Sequence, residues 1–187
     1  MLKPTFLAEQ FLIAMPSLQD STFARSVSLI CQHDAQGAMG LLLNQDSEFT
    51  LGVLFDQLGL QCQNPGLRRL PVQTGGPVQP ERGFILHHDG RSWESSLHLE
   101  NGLTVSTSRD ILQALAAGEG PDQFLVLLGY SGWSAGQLEE EIAENSWLFA
   151  PVSRDIIFHA PIEQRWRAAA KLLGVDLSLI SSQTGHA

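Results

Sequence analysis

Cys31 and His33 stand two apart in VSLICQHD, and a thiolate beside an imidazole is the pairing of a cysteine nucleophile with its base. On a strand, residues i and i+2 share a face. The same alternation makes Cys31 the third member of the apolar series Val27, Leu29, Cys31, so it reads first as a buried, inert thiol, and no third group that would orient the imidazole is evident. His87-His88-Asp89 offers metal-ligating types, but neighbours on a strand face opposite sides, and His98 or His159 would have to be folded into place. No metal and no cofactor is expected. Ser106 and Ser108 precede a helix, where capping accounts for them, and neither lies in a G-x-S-x-G elbow. Glu139, Glu140, Glu141 and Glu144 present paired carboxylates, an arrangement more typical of a solvated helix face.

Two glycine-dense segments complete the chemical inventory. In Gly129-Tyr-Ser-Gly132-Trp-Ser-Ala-Gly136 an apolar strand leads through a loop into a capped helix, the arrangement that aims free backbone N–H groups at an anion. The segment is neither a Walker loop nor GxGxxG, and the glutamates that follow already complement the helix N-terminus. Thr74-Gly75-Gly76-Pro77-Val78 is the second such loop, with backbone conformations open to a ligand or to another loop. If the two meet, Tyr130 and Trp133 wall a pocket whose polar contacts are Gln137 or Glu141.

These residues need a frame. Phe11 to Met15 reads as a strand, and so does the alternating run from Val27, joined through Asp34-Ala-Gln-Gly37 to Ala38–Asn44 as an antiparallel hairpin. Thr50 caps a short helix bearing Leu51, Leu54, Phe55 and Leu58, closed by Gly59, and residues 60–70 form a surface loop. Strands resume at Val72, over Arg82–His88 and over Ser96–Leu99, and Asn101-Gly102 turns the last into a hairpin arm reaching Ser106. Thr107 and Asp110 form a capping box for a helix with Ile111, Leu112 and Leu115 on one face. Phe124–Leu128 is a strand covered on both faces, Ser134 and Gln137 cap a helix running to about Asn145, and Asp155–Ala160 reads as a late strand. Pro161 starts a final helix with Ile162, Trp166, Ala169 and Leu173 in a stripe, stopped by Gly174, and a polar tail frays from about residue 176. Strands and helices do not alternate regularly, so the class is α+β in one domain over residues 1–187.

The chain has 187 residues, enough to bury a core without disulfides, and its two cysteines match no metal-ligand spacing. With 11 basic against 20 acidic residues the net charge is −9, which disfavours direct nucleic-acid binding. Pro4 and Glu9 interrupt what would otherwise pass for a signal peptide, and no apolar stretch has the length of a bilayer span, so the expected compartment is the cytosol.

FLIAMPSLQDSTFARSVSLICQHDAQGAMGLLLN, GGPVQPERGFILH, TSRDILQALAAGEGP and GYSGWSAGQLEEEIAENSWL, in that order, resemble the AlgH-like (YqgE) family over nearly the whole chain. The resemblance implies a single α+β domain with a bifurcated, partly barrel-like mixed sheet flanked by helices. It implies no reaction or cofactor; the family name reflects a proposed role in regulating alginate synthesis. Family positions that match here include His33, Asn44 and His87 beside the two glycine segments. The leading expectation is a non-enzymatic binding or regulatory protein, with a small molecule or protein as partner, using Gly75, Gly76, Pro77, Gly129, Tyr130, Gly132, Trp133, Gln137 and Glu141. The alternatives are a hydrolase or transferase using Cys31 with His33, or Ser108 with a distant base, and a scaffold or oligomer-interface protein.

Overall fold

The strand-forming segments become β1 (Gln10–Ala14), β2 (Val27–Asp34), β3 (Gly37–Leu42), β4 (Asp46–Thr50), β5 (Pro71–Thr74), β6 (Val78–His87), β7 (Ser96–His98), β8 (Thr104–Ser106), β9 (Phe124–Ser134) and β10 (Trp147–Pro151) in a computed structural model that describes residues 6–181. The helices are α1 (Leu51–Gln57), α2 (Pro65–Arg68), α3 (Arg109–Ala116), α4 (Gln137–Ala143), α5 (Arg154–His159), α6 (Arg165–Lys171) and α7 (Leu177–Ser181), with a 3-10 turn at Ile162–Gln164.

The strands lie in the order β10-β1-β2-β3-β9-β6-β8-β7, and β4 and β5 branch from β9. The sheet is antiparallel except where β5 runs parallel to β9, and it curls into a half-barrel. The expected α+β single domain with a bifurcated, partly barrel-like sheet is therefore present. Period-two alternation explains how both faces are covered. From β1, Phe11 and Ile13 enter the inner core with Leu29, Leu86, Leu127, Trp166 and Ala169, whereas Leu12 and Ala14 enter an outer core with Ile30, Trp133, Leu138 and Trp147. A third cluster holds α1 and α3 against the sheet through Phe55, Ile111, Leu115, Ile85 and Val126. Each fully buried leucine, isoleucine or phenylalanine in these layers contributes about 1.5–3 kcal/mol by leaving water.

Several expectations are corrected. The run Asp155–Ala160 is helical, because Ser153 Oγ accepts a hydrogen bond from Ile156 N–H (3.3 Å) and starts α5 before the β-branched pair Ile156-Ile157 can extend. The segment Gly129–Ser134 is not a loop; it continues β9 to eleven residues, because β3 lies alongside and pairs Gly37–Gly40 with Ser134–Ser131. Ser108, rather than Thr107, occupies the N-cap of α3. Asn64 caps a short helix, α2, within the stretch read as a loop. The tail read as frayed from residue 176 begins with α7, whose Leu177 is buried, and residues 182–187 lie outside the described residues.

Candidate ligand-binding cleft

The sheet divides at Gly129. Before it, β9 pairs with β5 through Leu127 and Leu128; beyond it, the same edge pairs with β3 through Ser131–Ser134. The Gly75-Gly76 segment crosses there, with Gly75 N–H donating to the Leu128 carbonyl (2.7 Å) and Gly75 O accepting from Ser131 Oγ (3.2 Å). A Cβ on Gly76 would overlap the Tyr130 carbonyl group, and one on Gly129 the Gly76 oxygen; both residues also have positive φ, at 155° and 75°. The two glycine segments thus meet, but backbone against backbone. No hollow lies between them, and Pro77 is exposed beside the crossing.

Because Tyr130 to Trp133 is strand, residues three apart point to opposite faces. Tyr130 lies on the concave side, edge-on to Phe84 with ring centroids 5.9 Å apart. Gly132 follows on the same side. Both line a cleft of about 810 Å³ whose floor includes Met39, Phe84 and Val105 and whose rim carries Gln32, Arg82, Ser95, Ser96 and Thr107; an edge of Trp133 also reaches it. The volume suits a small organic ligand. The Arg82 guanidinium lies 5.1 Å from the Phe84 ring centre and forms no ion pair among the described residues, and the Tyr130 hydroxyl has no hydrogen-bond partner there.

Trp133 faces the other way, with Phe23 and Trp147. Its indole N–H and that of Trp147 both donate to Glu141 Oε2 (3.0 and 2.9 Å), while Gln137 Nε2 donates to Glu141 Oε1 (3.1 Å). Gln137 Oε1 in turn accepts from Ser134 N–H at 2.9 Å, so the expected Ser134–Gln137 partnership exists although Gly136 is the N-cap of α4. Gln137 and Glu141 are therefore turned away from the cleft, joining the tryptophans to α4. Asn44 is also structural: its Oδ1 accepts from Val27 N–H (3.0 Å) and its Nδ2 donates to the Arg25 carbonyl (2.9 Å).

Cys31 and His33 do not form a pair. The β2–β3 register shifts between Ile30 and Gln32, leaving Cys31 at a bulge. Cys31 enters the inner core, where burial pushes its thiol up to about 12. His33 Nδ1 accepts from Leu7 N–H (2.8 Å), which fixes the proton on Nε2, facing Glu139 Oε1. Ser108 Oγ donates to Asp110 and accepts from Ser95 N–H, so it too is a structural hydroxyl.

One wall of the cleft holds a connection missed in the sequence. His87 is wholly buried; its Nδ1 lies 2.8 Å from Asp89 Oδ1 and its Nε2 2.8 Å from Ser106 Oγ, which is 2.8 Å from Ser96 Oγ at the rim. The order of partners assigns donors: Ser96 to Ser106, Ser106 to His87, and His87 Nδ1–H to Asp89. Burial holds the His87 imidazole below its ordinary value against the opposing pull of Asp89. Burial raises the Asp89 carboxyl, but hydrogen bonds from Arg91 and His87 outweigh it and leave the group below its usual range. A signal was available only in part: His87 and Asp89 are two apart, but counting outward from Asn101-Gly102 pairs Ser96 with Thr107, and it is the inclusion of Glu100 in the turn, with Leu99 N–H bonded to the Leu103 carbonyl, that sets Ser96 opposite Ser106. Among the described residues, no cluster of three His, Cys, Asp or Glu is placed to hold a metal ion, and no helix is long and apolar enough to cross a membrane.

The AlgH-like family model matches residues 11–178. A UPF0301 protein of Xanthomonas campestris pv. campestris is 54% identical over 184 residues, covering 98% of both chains. One from Stenotrophomonas maltophilia is 54% identical over 183 residues, covering 98% of this chain and 97% of its own. The solution structure of the AlgH protein from Pseudomonas aeruginosa is similar at 46% identity and a TM-score of 0.81, covering 100% of this chain and 99% of the other. A Corynebacterium diphtheriae crystal structure shares the fold at 22% identity and a TM-score of 0.73, over 97% and 94% of the two chains. This chain belongs to the AlgH-like family.

Proposed function

We propose that the protein is a non-enzymatic, cytosolic binding protein whose cleft takes a partly apolar, planar small molecule bearing an acceptor group. The observation that carries this reading is the pairing of an apolar floor with polar groups left without a protein partner, the Tyr130 hydroxyl and the Arg82 guanidinium. A ring stacked near Phe84 and Tyr130 would present a carbonyl or anionic edge to Arg82. We propose further, on the family resemblance alone, a regulatory role that works through the bound molecule or a protein partner, since the net charge of −9 repels a phosphate backbone.

A metabolite thermal-shift screen tests it, followed by titration of Arg82→Gln. A hit that raises the unfolding temperature of the parent and loses at least about tenfold in affinity in the variant supports the cleft. A hit unaffected by Arg82→Gln and Tyr130→Phe together counts against it. Iodoacetamide labelling of native protein separates the cysteine-enzyme alternative: Cys31 is expected to react only after unfolding, because its thiol stays protonated in the core.

A second reading has one specific observation behind it. The chain Ser96–Ser106–His87–Asp89 is a route by which a hydroxyl at the rim could pass its proton inward as it attacks an acyl or phosphoryl centre. Ser106 itself is fully buried, so Ser96 would be the nucleophile. Covalent labelling of Ser96 by a fluorophosphonate, absent in Ser96→Ala, would favour this second reading.

A further inference from the structure

The chain carries few basic residues, yet three of them converge on a hollow remote in sequence from the cleft. Arg25 lies between β1 and β2, whereas Arg167 and Lys171 are one turn apart on α6. The hollow between them measures about 650 Å³ and is also lined by Ser21, Thr22, Ser26, Asn44, Gln45 and Gln164, all of which can donate hydrogen bonds. None of the three cations forms an ion pair among the described residues. The carboxylate of the lining is Glu163, and Asp176 lies close enough to Lys171 and Arg167 to feel their charge. Behind the wall, buried Arg165 donates to the Leu43 carbonyl (2.6 Å) and Gln73 Oε1 (2.9 Å), which leaves its positive charge uncancelled by direct contact with an acid.

Two observations independent of charge mark the hollow as built. Ser26, 3% exposed, belongs to the lining, and its Oγ, closed off from solvent just behind that wall, has no hydrogen-bond partner, a state that is unfavourable unless something else supplies one. Arg25 holds a left-handed backbone at φ 58°, unusual for a side chain of this size, and Asn44 secures it by bonding the Arg25 carbonyl and the Val27 N–H. The Arg25 guanidinium is thereby presented over the Trp166 ring, 5.9 Å from its centre, at the edge of the hollow.

We infer that this hollow binds a small phosphorylated anion, held by Arg25, Arg167 and Lys171 with the polar side chains of the lining, such as Thr22 and Gln45, as further donors. Three cations against one lining carboxylate favour a ligand with more than one negative charge, and the many N–H and O–H donors match the several acceptor oxygens of phosphate. The inference is independent of the cleft at Tyr130.

Titration of the isotope-labelled protein with pyrophosphate, followed by amide NMR, tests it. The expected result is a saturable shift of the Thr22, Ser26 and Asn44 amides and of the Trp166 indole N–H. The double variant Arg167→Gln/Lys171→Gln, both positions exposed, should weaken pyrophosphate by at least about tenfold while keeping the parent's unfolding midpoint. Glu163→Gln should tighten it by roughly two- to threefold, a gain that a merely structural role would not produce. Signals that do not move, or that move equally in the double variant, overturn the inference. Citrate binding as tightly as pyrophosphate overturns the assignment to phosphate, and a DNA or RNA oligonucleotide binding more tightly than pyrophosphate overturns the assignment to a small molecule.

Discussion

The aromatic residues on the two faces of the sheet at β9 are treated in opposite ways. On the α4 side, the polar atoms of Trp133 and Trp147 end on Glu141, whose other oxygen accepts from Gln137. On the concave side, Tyr130 packs its ring against Phe84 and keeps its hydroxyl free at the cleft. A buried polar group with a partner stabilises the fold; one without is stable only where water or a ligand reaches it. A single segment, Gly129 to Glu141, therefore serves two ends: its Trp and Glu positions hold α4, and its Tyr and Gly positions shape a surface for binding.

The contrast can be broken at the crossing that both faces share. Gly76→Ala forces a Cβ into the Tyr130 carbonyl at a positive φ and should destabilise by about 3 kcal/mol or more, measured by denaturant unfolding. Glu141→Ala acts on the α4 face alone, leaving two indole N–H groups without acceptors, and should lower stability by about 2–4 kcal/mol with little effect on the cleft. The wall of the cleft is probed by pH. His87 is held below its ordinary value of 6.5 in the fold, so the unfolded chain takes up a proton first as pH falls. Stability contributed by neutral His87 is thus present above about pH 6.5 and lost below it, and His87→Gln should flatten that acid limb in unfolding curves taken at successive pH values. Tyr130→Phe sharpens the comparison with the smallest effect, under about 0.5 kcal/mol on stability, since the hydroxyl it removes has no protein partner; a larger loss would mean that Tyr130, like Trp133, is structural.

Where local chemistry and tertiary contact agreed, the fold was legible. Thr50 caps α1, and Asn101-Gly102 turns β7 into β8 with Gly102 at φ 85°. Where they competed, the reading failed in a consistent direction. Ile156, Ile157 and Phe158 have strand propensity, but the Ser153 cap made a helix of them. Gly129, Gly132 and their neighbours have loop composition, but the edge offered by β3 made a strand of them. The bulge at Cys31 undid the i,i+2 argument for a cysteine–histidine pair, because one extra residue transfers everything after it to the other face.

By itself, the sequence determined the α+β class, the family and the residue types near the cleft, because turns, caps and alternation act over a few residues. Tertiary structure alone decided that the glycine segments cross without enclosing a hollow, that Tyr130 and Trp133 face apart, and that Arg25 lies beside Arg167 and Lys171. Each of these depends on which backbones lie side by side, and strand pairing between residues far apart in sequence is set by the packing of the whole sheet.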